Sequence, residues 1–373
     1  MRILHVSDHY LPVLGGIETH VSTLAARQAE RGDEVTVLTS TPASADGRHC
    51  SDLGAVSVRR VRSVLEGLRT PFESFDVVQA HLSVVAPFSS PVTAWCARSG
   101  VPTVVTVHSL WSGMGPVPGA AAALSGLRGA PVLWSAVSRL AADELSRRLR
   151  ADTPVRVLPN AVDVAARGHS PGEREDGSVR LVSTMRIARR KRPLQLLRMF
   201  GALRASVDAP VQLSIVGDGP LRPRFERHVH RDGLAGSVTV SGRTEPRGVV
   251  DALTDADIYV APALLESFGL AALEARCVGL PVVGQARSGL RDFVTDGVEG
   301  MLCADDADMV ERLRALVLDH DLRRRISEHN RLTPSGMTWE NALARHDLAY
   351  AAARSGPSAR GRTPVGPEGE VVP

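Results

Sequence analysis

Two glutamates eight residues apart, Glu266 and Glu274 in the segment E-S-F-G-L-A-A-L-E, bracket the expected start of a helix. Carboxylates so placed can accept hydrogen bonds from several hydroxyls of one polyhydroxylated ligand, while the helix-opening amides of Phe268, Gly269 and Leu270 can face a phosphate. A second cluster, R-I-A-R-R-K-R-P at 186–193, lies between an expected strand and a helix with Pro193 in its first turn. There Arg186 can grip a phosphate with its two-pronged guanidinium, and Lys191 adds a compact positive charge. Lys191 is the single lysine among 44 basic residues, so it stands out from a surface otherwise made positive by arginine. Each feature also has a plainer account. Glu266 can be a first-turn acid favoured by the helix dipole, Glu274 a solvated face residue, and the basic loop simply hydrated.

Three glycine-bearing loops follow expected strands. In S-D-H-Y-L-P-V-L-G-G-I-E at 7–18, Gly15 and Gly16 precede a helix and would let its amides approach an anion. The spacing is not G-x-G-x-x-G, so a dinucleotide fingerprint is absent. In I-V-G-D-G-P at 215–220, Gly217 and Gly219 either lie beneath a nucleotide base or merely turn the chain. Arg243, in S-G-R-T at 241–244, occupies the equivalent place after the next strand. His108 ends an apolar strand in the first half of the chain, where a lone histidine is more often structural than catalytic. Two D-x-D triplets, at 255–257 and 306–308, read as structural, and no metal site is expected.

Stepping from residues to elements, short β-branched runs alternate with amphipathic segments of helix length along most of the 373 residues. Strands are expected at 2–7, 34–39, 56–61, 75–80, 103–108, 133–137 and 156–158, with helices such as 18–31 and 138–149. The alternation restarts with strand 180–184 and helix 193–205. Strands 211–216, 238–241, 258–261, 281–284 and 300–303 follow, with helices at 221–230, 247–254, 268–277 and 307–329. This rhythm predicts an α/β chain of two doubly wound domains, each a parallel sheet with helices on both faces, set across a cleft. The expected boundaries are 1–164 for the first domain, a Gly- and Pro-rich linker at 165–178, and 179–336 for the second. A helix at 337–354 would cross back toward the first domain, and 355–373 would be a disordered tail. Ligands of such sheets sit at the carboxyl ends of the strands, where the loops above fall.

Composition narrows the class. The chain is 43% apolar and 23% charged, with a formal charge of +3, far from that of a dedicated nucleic-acid binder. Four scattered cysteines without a C-x-x-C pair read as reduced thiols. The N-terminus runs directly into a strand pattern, and no apolar run approaches a bilayer span, which predicts a soluble, cytoplasmic protein. Arg59, Arg60, Arg62, Arg69, Arg147, Arg148 and Arg150 would allow peripheral membrane contact, although a solvated arginine face is the simpler account.

Taken together, the motifs resemble the family-four glycosyltransferases, which have the GT-B architecture of two Rossmann-like domains and retain anomeric configuration. The resemblance rests on G-G-I-E at 15–18, V-L-P-N-A-V-D at 157–163, the Arg186/Lys191 pair, I-V-G-D-G-P at 215–220 and E-S-F-G-L-A-A-L-E-A at 266–275. It implies transfer of a hexosyl group from a UDP- or GDP-sugar, without metal, the nucleotide sugar being a co-substrate rather than a cofactor. Glu274 would hold the ribose and Glu266 the transferred sugar. Arg186, Lys191 and the amides of Phe268, Gly269 and Leu270 would hold the diphosphate, with Gly16 closing over it and Gly217, Gly219 and Arg243 completing the donor site. His108 would touch the sugar. The acceptor, a lipid, polysaccharide or small-molecule hydroxyl, would bind the first domain.

Two positions depart from the family pattern: V-V-Q-A-H lacks the usual second histidine, for which His81 could substitute, and Met185 replaces a glycine before Arg186. Alternative readings are a GT-B sugar phosphorylase, a nucleotide-sugar epimerase, or a non-catalytic sugar-nucleotide binder.

Overall fold

The computed structural model describes residues 1–13, 15–43, 55–110, 126–127, 129–149, 154–163 and 176–356. The expected linker at 165–178 and tail at 355–373 lie almost wholly outside these residues. The chain divides into two compact units, Met1–Pro159 with Trp339–Pro373, and Asn160–Thr338.

The first unit holds strands β1 (Arg2–Ser7), β2 (Glu34–Thr39), β3 (Val56–Arg60), β4 (Val77–Leu82), β5 (Thr103–Val107), β6 (Leu133–Ala136) and β7 (Val155–Val157). They form one sheet in the order β3-β2-β1-β4-β5-β6-β7, and every pairing is parallel. Its helices are α1 (Gly16–Glu30), the one-turn α2 (Val64–Gly67), α3 (Ser89–Arg98) and α4 (Arg139–Arg148). The α4 helix opens where the serine pattern predicts, with Ser138 Oγ accepting from the Ala141 amide at 3.1 Å. Strands β4 and β5 are buried at every position, as expected of central strands covered on both faces, although β4 carries Gln79 and His81 among its apolar residues.

The second unit contains β8 (Val179–Thr184), α5 (Pro193–Ala205), β9 (Val211–Val216), α6 (Arg222–Arg231), β10 (Val238–Gly242), α7 (Pro246–Thr254) and β11 (Ile258–Ala261). It continues through α8 (Leu270–Val278), β12 (Val282–Gln285), β13 (Gly300–Cys303), α9 (Asp306–Leu318) and α10 (His320–Leu332). The parallel sheet runs β10-β9-β8-β11-β12-β13. The single helix expected at 307–329 is two: at Asp319 the backbone leaves the helical region (φ −102°, ψ 94°), and its carboxylate accepts from the Leu322 amide at 2.8 Å to start α10. The last helix, α11 (Trp339–Arg354), belongs to the first unit, where it packs on β4, β5 and β6.

Both sheets reverse strand order beside their first strand, at β1/β4 and at β8/β11. Such switch points open a crevice at the strands' carboxyl ends, because successive crossovers leave in opposite directions. The loops after β8 and β11 are those that carry Arg186, Lys191 and Glu266.

Candidate active site

In the second unit, the loop after β8 and the loop after β11 meet through their side chains. Lys191 Nζ donates to Glu266 Oε2 at 2.5 Å, the carboxylate being the more buried partner. The sequence placed both residues at the same ligand but not against each other. Lys191 is fixed by its neighbour Arg192, the one described non-glycine residue at positive φ (55°). Arg192 clamps Asp306 with two bonds of 2.9 and 2.6 Å and donates to the Pro262 carbonyl at 3.0 Å. That clamp ties the basic loop to the β11 loop and to the N-terminus of α9, and it holds an otherwise strained backbone in place.

Arg186 is exposed, and its guanidinium makes no ion pair with any described residue. Its loop is shaped from beneath by the I-V-G-D-G-P turn. The Met185 amide donates to the Val216 carbonyl, the Ile187 amide to the Asp218 carbonyl, and the Leu221 amide to the Ile187 carbonyl. A Cβ at Gly217 (φ +140°) would strike the Met185 carbonyl, and one at Gly219 would lie 2.5 Å from the Ile187 carbonyl. Both glycines therefore allow backbone to lie on backbone under Arg186. Met185, the departure from the family glycine, turns its side chain into the core beside Ile187 and Leu196. Arg243 is exposed at the end of the edge strand β10.

Helix α8 opens later than the sequence suggests. Gly269 is its N-cap, at φ +94°, and Leu270 is its first residue. The amides free of intrahelical partners are those of Leu270, Ala271 and Ala272, and the first return bond runs from Leu273 to Gly269. Phe268 is outside the helix: its ring is 1% exposed and packs 5.4 Å from the Phe293 ring, anchoring the loop. At the far end Gly279 (φ +109°) caps the helix as its position before Pro281 suggests. Glu274 is no solvated face residue; burial pushes its carboxyl up to about 7. Burial raises the Tyr259 hydroxyl of β11 above its ordinary value, and the negative charges of Glu266 and Glu274 add to that rise.

The D-x-D triplets are engaged locally. Asp257 accepts from the Arg180 amide and Asp255 from the Arg180 side chain, Asp306 holds Arg192, and Asp308 accepts from the Ala304 amide and from Arg312.

In the first unit, Gly16 is the first residue of α1 and a Cβ there would meet nothing within 4 Å, whereas one at Gly15 would run into the Glu18 carboxylate. His108 lies just past β5, 6% exposed. Sequence reasoning singled it out but missed its surroundings: His5, His20, His81 and His346 are buried with it, together with Gln28 and Tyr350. The available signal was a polar residue at the centre of a strand, His5 within R-I-L-H-V-S, where apolar residues are the rule. Of the arginines considered for a membrane surface, Arg60 is drawn to the Thr41 carbonyl at 2.9 Å and Arg148 to Glu144 at 3.4 Å, while Arg150 lies outside the described residues. No described helix is long and apolar enough to cross a membrane.

The profile "Glycosyltransferase Family 4" matches residues 14–166, and "Glycosyl transferases group 1" matches residues 169–333. A D-inositol 3-phosphate glycosyltransferase from Catenulispora acidiphila is 30% identical over 400 residues, covering 93% of this chain and 93% of the relative. A phosphatidyl-myo-inositol mannosyltransferase from Mycobacterium leprae is 27% identical over 361 residues, covering 87% and 90%. Among solved structures, Anabaena Alr3699/HepE in complex with UDP superposes with a TM-score of 0.75 at 17% identity, over 94% of this chain and all of that one, which shows the shared GT-B fold. With a family profile on each half and a relative this similar along nearly the whole length, the chain belongs to the family 4, group 1 glycosyltransferases.

Proposed function

We propose that this glycosyltransferase moves a hexosyl group, with retention, from a UDP- or GDP-linked sugar to an acceptor hydroxyl. The observation that carries the reading is the convergence of Lys191, Glu266 and the opening of α8 at one switch point, with the exposed Arg186 on the same β8 loop. As the glycosyl phosphate bond breaks, negative charge grows on the diphosphate and positive charge on the sugar ring. Arg186, Lys191 and the amides of Leu270, Ala271 and Ala272 supply fixed positive potential for the former, with no reorganisation needed during the step. Glu266 exchanges its bond with Lys191 for sugar hydroxyls when Lys191 turns to the diphosphate, and Glu274 takes the ribose hydroxyls.

The new bond joins the sugar's anomeric carbon to the acceptor oxygen, and the acceptor's proton passes to the departing diphosphate. In this reading the protein's own charges do the stabilising and no metal is called for. Relatives named for inositol phosphate and phosphatidyl-inositol acceptors, at 27–30% identity, make phosphorylated polyols and their lipids the first acceptors to assay.

The test is Lys191→Ala in steady-state transfer assays. Turnover should fall on the order of 100-fold, with a smaller change in the donor KM, because the charge is needed most in the transition state. Unchanged turnover would mean that the diphosphate is held elsewhere. Product analysis with and without free phosphate separates transfer from phosphorolysis.

A further inference from the structure

The basic loop after β8 depends for its place on one side chain. Arg192 sits between the turn at Arg189–Lys191 and helix α5, at φ 55° and ψ 44°, a left-handed conformation that non-glycine residues rarely adopt. The turn that carries Lys191 is a single one. It is closed by the Lys191 amide donating to the Ala188 carbonyl at 3.0 Å and the Arg192 amide donating to the Arg189 carbonyl at 3.2 Å. One such turn does not hold itself, because ordering its residues costs more than its few bonds return. What fixes it is the Arg192 guanidinium.

Arg192 grips the Asp306 carboxylate through Nη1 at 2.9 Å and Nη2 at 2.6 Å, and Nη1 also donates to the Pro262 carbonyl at 3.0 Å. Gln285 Nε2 lies 3.5 Å from the same Asp306 oxygen that Nη1 holds. Arg192 follows β8, Pro262 follows β11, Gln285 ends β12, and Asp306 opens α9 after β13. Those four strands are consecutive neighbours in the sheet, so one guanidinium–carboxylate pair ties their carboxyl ends together. The positive end of α9 favours a carboxylate at its first residue. The Arg192 side chain is only 15% exposed, and two-pronged contact is the geometry in which an ion pair holds segments in place. Arg192 is thus neutralised by Asp306, and Lys191 beside it by Glu266. Only the second pair has to part when a diphosphate arrives.

We propose that Arg192 and Asp306 are positioning residues. Their bond is the strut that holds the Lys191 ammonium against Glu266 at the β8/β11 switch point, so that its charge reaches the diphosphate without rearrangement of the loop. The consequence for turnover rests on the function proposed above, whereas the placement of Lys191 by the strut does not.

The test uses the fact that Lys191 is the sole lysine of the chain. Full-length, ligand-free protein grown with carbon- and nitrogen-labelled lysine gives one set of side-chain NMR signals, and Glu266→Gln marks where they fall without the ion pair. In Arg192→Gly and in Asp306→Asn the Cε and Nζ signals should move toward those of Glu266→Gln. Glycine suits the left-handed backbone, so the first variant removes the guanidinium without strain; the second keeps the size of aspartate should the first fold poorly. Each should lower kcat about tenfold with little change in the donor KM. In a Lys191→Ala background the same changes should cost less than about twofold, because the strut then holds nothing that acts on the donor. A merely structural role would leave the lysine signals unmoved in folded variants and give the same loss in both backgrounds; either result would overturn the proposal. Should Lys191→Ala by itself leave turnover unchanged, the diphosphate reading fails, while the lysine signals still decide whether the strut places Lys191.

Discussion

Glu274 separates two ionisation effects of opposite sign. Its carboxyl is raised to about 7 by burial, so the folded state favours the protonated form. Stability from this group is present below the ordinary value of 4.5 and is lost as pH rises through about 7. Ribose hydroxyls, in contrast, donate best to the ionised form. Nucleotide binding, measured by calorimetry, should therefore strengthen from about pH 6 to pH 8, and Glu274→Gln should weaken it about tenfold and flatten the profile. A steep profile surviving in Glu274→Gln would assign the titration to another group. The glutamate's type and spacing were legible in the sequence; its burial was not, because helix periodicity cannot say what packs over a face.

Among the elements, two loops test different demands on glycine. Gly217→Ala should cost about 1–3 kcal/mol in urea unfolding, since the new Cβ meets the Met185 carbonyl at a φ of +140°. It should also lower activity by displacing the loop that carries Arg186. Gly16→Ala should leave the melting temperature unchanged or slightly raised, because its Cβ meets nothing and alanine suits a helix. If Gly16 closes on the donor as the family motif implies, the same change should nevertheless reduce kcat/KM by at least tenfold. Equal activity would remove Gly16 from the donor site. The split of the helix expected at 307–329 shows the limit of periodicity at this scale: both halves keep helical spacing, and the break is marked by the extended backbone of Asp319 and by the capping bond from the Leu322 amide to its carboxylate.

For the whole molecule, α11 follows the second unit in sequence but completes the first. Tyr350 bonds Gln28, Trp339 stacks on His20 with ring centroids 5.6 Å apart, and Asp347 takes two bonds from Arg31 at 2.8 and 2.7 Å. Truncation after Thr338 should thus lower the melting temperature of the first unit by several degrees and expose buried surface to dye binding. The same region sets acid stability. His5, His20, His81, His108 and His346 are held neutral by burial, chiefly against one another, with Arg31 disfavouring and Asp347 favouring protonation of His346. Folded values below the ordinary 6.5 mean that this stability is complete above pH 6.5 and is lost as pH falls toward 4. For His5 alone the loss is on the order of 3 kcal/mol. Urea midpoints should drop over that window, and His5→Phe should flatten the decline; an unchanged slope would show that His5 does not carry the loss.

The amino-acid sequence by itself determined the alternation of strands and helices, the family motifs, and the residue types Arg186, Lys191, Glu266 and Glu274, because local spacing and side-chain chemistry are properties of neighbours along the chain. Only the tertiary structure decided that Lys191 and Glu266 bond each other, that the 215–220 turn buttresses Arg186 from below, and that Phe268 serves the core. It alone assembled histidines 5, 81 and 108 into one row. Those are relations between segments remote in sequence, set by which strands lie side by side at the two switch points, and no periodicity along the chain encodes them.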